Sequence, residues 1–89
     1  MTAHFVQDCS KGSPLLDHYA EKEYTWPRAN LEIIRAVAET GFRSWFPFSV
    51  KNLTSTFFKV QKMVYEGSEY AVVTNSAINY IFLLEDDNT

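Results

Sequence analysis

Apolar positions recur at two spacings along this chain, and the change of spacing divides it. Leu15 with Tyr19, and Leu16 with Ala20, pair four residues apart after Ser13-Pro14. A serine able to cap free amides, followed by proline at the first helical position, starts a helix, which the pairs extend over about 14–24. Thr25-Trp26-Pro27 interrupts it, because the residue before a proline is pushed out of helical geometry. A second helix is predicted over 27–40. Arg28, Glu32, Arg35 and Glu39 form one sign-alternating stripe opposite Leu31, Ile33, Ile34, Val37 and Ala38, and Gly41 marks the expected end.

Residues 53–65 carry conflicting signals. Leu53, Phe57, Val60 and Val64 make an apolar stripe at helical spacing, whereas Thr, Phe, Val and Tyr favour strands. A strand would place Lys59 and Gln61 on one face with Met63 and Tyr65, so periodicity selects a third helix. After the Gly67-Ser68 break, residues 69–74 and 78–84 are β-rich runs joined by Asn75-Ser76-Ala77, which reads as an antiparallel hairpin. Phe5 and Val6 are the candidates for a short strand before residue 12. The expected fold is α+β: two to three helices packed with a small antiparallel sheet that contains the C-terminal hairpin. At 89 residues there is room for one domain, with short polar ends at 1–12 and 85–89.

Composition narrows the setting. With 46% hydrophobic residues and only three glycines and three prolines, the chain is globular. Cys9 is the single cysteine, so no intrachain disulfide forms. No apolar run reaches the ~20 residues that cross a bilayer, and no basic-then-apolar leader opens the chain. These features point to the cytoplasm and away from membranes. The net charge of −3 is unevenly spread. Residues 25–65 hold six bases against Glu32 and Glu39, while 66–89 hold five acids and no base. A basic surface and an acidic end follow.

Catalytic and metal chemistry finds little support. His4, Cys9 and His18, with Asp8 and Asp17 nearby, contain the material for a Cys–His dyad or a metal site. Their spacing is not that of a zinc motif, and Cys9 lies where no rigid element is predicted. Scattered glycines make no phosphate-cradling loop. The chain is therefore expected to be non-enzymatic and to need no cofactor.

Two binding readings remain. Residues 42–48 concentrate Phe42, Trp45, Phe46 and Phe48 around Pro47, with Arg43 among them. Aromatics and arginine anchor many protein interfaces, although such rings also fill the core of a small domain. The leading expectation is a small protein-interaction module. It would be an adaptor or inhibitor, antitoxin-like or phage anti-defence-like, that blocks a surface of a larger protein. Arg43, Trp45, Phe46 and Phe48 would make contact, and Glu85, Asp86 and Asp87 would steer a basic partner. The alternative rests on element order: three helices and a hairpin over about 28–84 resemble a winged-helix layout. That resemblance implies a DNA-binding transcriptional regulator using Lys51, Thr54, Ser55, Lys59 and Lys62. Overall acidity and a hairpin without bases weigh against it. A homodimer is compatible with either reading, since an unpaired hairpin edge invites symmetric pairing.

Overall fold

A computed structural model describes residues 1–8, 14–21, 30–43, 49–55, 58–75 and 79–86. In chain order these form β1 (Thr2–Asp8), α1 (Pro14–Glu21), α2 (Leu31–Arg43), α3 (Val50–Leu53), β2 (Lys59–Tyr65), β3 (Ser68–Thr74) and β4 (Asn79–Glu85). The class is α+β. Four antiparallel strands lie in the order β1-β4-β3-β2, so the first and last strands are neighbours and Thr2 pairs with Glu85.

The central strands explain why the C-terminal runs are apolar without alternation. Ala71, Val72 and Val73 on β3, and Ile81 and Phe82 on β4, are fully enclosed. Successive residues of a strand face opposite sides, so a continuous buried run means that both faces of the sheet are covered. On one face α2 and α3 contribute Ile33, Ile34, Val37 and Leu53 against Val60, Ala71, Val73, Phe82 and Leu84. On the other, Leu15, Leu16 and Tyr19 of α1 pack over Met63, Val72 and Ile81. Phe5 meets Phe82 edge-on at 5.6 Å between ring centroids, joining β1 to the larger core.

The hairpin expected at 69–74 and 78–84 forms as β3 and β4, in antiparallel register from Glu69↔Leu84 to Thr74↔Asn79. The first helix starts at Pro14 as expected. Phe5 and Val6 lie within a seven-residue strand, longer than their neighbours suggested. That strand is bulged between Phe5 and Gln7, and the extra residue, Val6, is exposed.

Two helix boundaries differ from expectation. Asn30 opens α2: its side-chain oxygen accepts from the Glu32 amide at 2.7 Å, and its carbonyl accepts from Ile34 at 3.1 Å. Gly41 does not end this helix, which runs on to Arg43. Glycine allows a left-handed stop but does not impose one, and the positive φ angles among the described residues belong to Glu66 and Gly67.

The third helix expected over 53–65 is replaced by a short helix and a strand. Ser49 caps α3, accepting from the Asn52 amide, and the helix closes after one turn. Thr54 and Ser55 then bond their hydroxyls to the carbonyls of Val50 and Asn52, a competing interaction suited to a helix end. The strand pattern was obscured by Gln61. Its side chain is 3% exposed beside buried Met63, with its amide oxygen accepting from the Tyr19 hydroxyl of α1. A polar residue inside a core reads as an outward one until its partner is known.

Candidate functional site

The outer edges of the sheet, β1 and β2, differ in how their backbone groups are used. Glu66 and Gly67 form the two-residue loop between β2 and β3, with φ of 50° and 82°. Two successive positive φ values define a type I′ turn, which closes on a hydrogen-bonded pair, here Tyr65 and Ser68. Pair types alternate along an antiparallel ladder. Lys59, Gln61, Met63 and Tyr65 therefore direct their backbone groups to β3, while Val60, Lys62 and Val64 direct theirs outward. The same alternation, carried across β3 and β4, turns the backbone groups of Ala3 and Phe5 outward from β1.

The β1 edge is closed in two ways. Thr40, from α2, donates its hydroxyl to the Ala3 carbonyl, and the bulge at Val6 disrupts the ladder beyond Phe5. On β2, His18 of α1 lies with its ring 4.9 Å from that of Tyr65 and Nε2 3.2 Å from the Val64 carbonyl oxygen. That contact guards only the hairpin end. The outward groups of Val60 and Lys62 take no partner among the described residues. This stretch of β2 has neither proline nor bulge, and lysine is the protective device present on it among the described residues.

The side chains beside this open stretch are mixed. Val64 is 55% exposed on the face shared with α2 and α3, next to Lys62, whose ammonium lies 2.8 Å from Glu69. Lys59 is exposed on the opposite face and has no ion-pair partner among the described residues. Both charges on β2 are positive, Lys59 and Lys62 being two of the six bases in residues 25–65.

The predicted contact residues are only partly placed. Arg43 is the last residue of α2, but its side chain lies outside the described residues, as do Trp45, Phe46, Phe48 and Asp87. Glu85 is exposed at the end of β4, 3.2 Å from Nε2 of His4, and Asp86 follows it. The residues offered for DNA contact do not share one helix. Lys51 is on α3, Thr54 and Ser55 follow it, and Lys59 and Lys62 sit on opposite faces of β2. The recognition helix of the winged-helix resemblance does not form. Sequence reading missed buried Val60 and exposed Val64 as edge-strand residues because their spacing matched a helix; the Glu-Gly turn was the signal that could have identified the strand.

A cavity of about 550 Å³ lies between β1 and α2, with Ala3, Phe5, Ala36 and Thr40 in its wall. His4 and Glu39 are its ionisable side chains among the described residues. No group of three metal-ligating side chains occurs among the described residues, where Cys9 is not included. No described helix is long and apolar enough to cross a membrane. No protein-family model matches the chain, and no significant match was found among curated proteins or solved structures.

Proposed function

We propose that this chain is a non-enzymatic, cytoplasmic protein-interaction module, an adaptor or inhibitor that covers a surface of a larger protein, and that β2 is its docking strand. One observation supports this reading above the others: β1 is closed by Thr40 and a bulge, whereas the outward backbone groups of Val60 and Lys62 on β2 have no partner among the described residues. An extended segment laid beside β2 gains main-chain hydrogen bonds, and side-chain contacts on alternate positions supply selectivity. Val64 offers that segment an apolar neighbour. The aromatic stretch 42–48 and the acids Glu85, Asp86 and Asp87 remain proposed secondary contacts.

Lys62→Pro tests the reading because it removes an outward N–H without removing a donor from the β2–β3 ladder. Tagged wild-type protein is expected to capture a partner from source-cell extract with or without nuclease treatment. Lys62→Pro should lose that partner while its circular dichroism and elution volume stay native. Undiminished capture by a folded Lys62→Pro would exclude β2 docking, and capture abolished by nuclease would favour nucleic acid as the ligand.

A further inference from the structure

We infer that the segment received by β2 is an extended strand of another protein carrying a carboxylate opposite Lys62, and that Lys62 excludes a second copy of β2. This rests on the docking role proposed above and specifies the occupant. The outward residues are Val60, Lys62 and Val64, so a two-fold antiparallel pairing of β2 with its copy, centred on the strand, sets Val60 against Val64 and Lys62 against Lys62. Like charges directly opposite each other on neighbouring strands repel. Sliding the register to separate them shortens the shared ladder. Lysine on an edge strand is a recognised barrier to self-pairing, and a barrier to one partner gives selectivity for another.

The same lysine favours an acidic guest. Its ammonium meets Glu69 on the β3 side, yet the side chain remains 45% exposed. A carboxylate on the incoming strand would approach from the other side, placing the cation between two anions. Lys59, exposed on the opposite face without an ion-pair partner among the described residues, adds positive potential along the same edge. Val64 calls for a branched apolar side chain two positions from that carboxylate, because residues two apart along a strand share a face. The guest therefore alternates between small polar residues and an apolar–acidic–apolar series.

Blocked heptapeptides of alternating threonine and valine, with glutamate or lysine at the central position, test this by fluorescence anisotropy. The glutamate peptide is expected to bind about fivefold more tightly than the lysine peptide. The preference should reverse in the double variant Lys62→Glu with Glu69→Lys, which retains the internal ion pair but inverts the charge at the edge. A third peptide, N-methylated on every amide of the glutamate sequence so that both of its edges are blocked, should not bind. Equal binding of the glutamate and lysine peptides, with loss on N-methylation, would overturn the acidic-guest inference and leave strand docking standing. Binding that survives N-methylation would remove strand docking itself. Failure of every peptide to bind would count against both. Sedimentation of Lys62→Val supplies the self-pairing arm. The wild type should be monomeric and the variant should dimerise; a wild-type dimer that Lys62→Pro dissociates would contradict the exclusion.

Discussion

The Thr40 hydroxyl on α2 donates to the Ala3 carbonyl on β1, and it also lies 2.9 Å from the Ala36 carbonyl one turn earlier in its own helix. One side chain thus joins a helix to an outer strand and occupies a carbonyl that would otherwise face outward. Among the described residues, the corresponding protection on β2 stops at Val64, where His18 reaches the backbone. The contrast between the two edges, among the described residues, arises from which helix lies beside each strand.

Replacing Thr40 by valine keeps the shape of the side chain and removes the donor. The Ala3 carbonyl then loses its partner, at a cost of about 1–2 kcal/mol. Urea denaturation should show a lower midpoint with an unchanged slope, as expected when folded-state stability changes and the surface exposed on unfolding does not. An unchanged midpoint would mean that this bond contributes nothing to closing β1.

The β2–β3 turn makes opposite predictions for two adjacent residues. Glu66 holds a φ of 50°, a conformation costing a side-chain-bearing residue roughly 1–2 kcal/mol, while Gly67 at 82° pays little for it. Glu66→Asn should therefore raise stability by about 0.5 kcal/mol, since asparagine tolerates this position of a type I′ turn. Gly67→Ala should lower it by about 1 kcal/mol, although open space surrounds the added methyl group. Thermal unfolding of both variants distinguishes this backbone effect from a packing effect.

Tyr19 and Gln61 provide a cycle for the smaller core. Tyr19→Phe removes a hydroxyl that satisfies the buried Gln61 amide and should cost about 1–3 kcal/mol. Combining it with Gln61→Met, which replaces the amide by an apolar chain of similar length, should recover part of that loss. Simple additivity of the two single changes in urea denaturation would show that the pair is not coupled.

Sequence revealed the fold most clearly where one force dominated. The C-terminal hairpin was legible because its runs are both β-favouring and bounded by turn residues, and α2 was legible from its charged stripe opposite an apolar one. β2 was not, because its burial depends on side chains distant in sequence: Gln61 can be inward only once Tyr19 lies above it. The edge at Val60 and Lys62 was not legible: the unpaired edge expected from sequence was that of the C-terminal hairpin, whose strands β3 and β4 instead lie at the centre of the sheet between β1 and β2. Which edge keeps unpartnered groups among the described residues follows from strand order and from the positions of Thr40 and His18, tertiary facts that no local pattern carries. The aromatic stretch at 42–48 was conspicuous in composition but lies largely outside the described residues, so its contact role stands on the sequence alone.

Residue-resolved amide hydrogen exchange on the isolated monomer tests the open β2 edge most directly. Gln61 and Met63, bonded to β3, should exchange slowly, while the outward amides of Val60 and Lys62 exchange fast and become protected when a partner strand binds. Slow exchange at Val60 and Lys62 in the free monomer would mean that the edge is already occupied, and the docking account would fail.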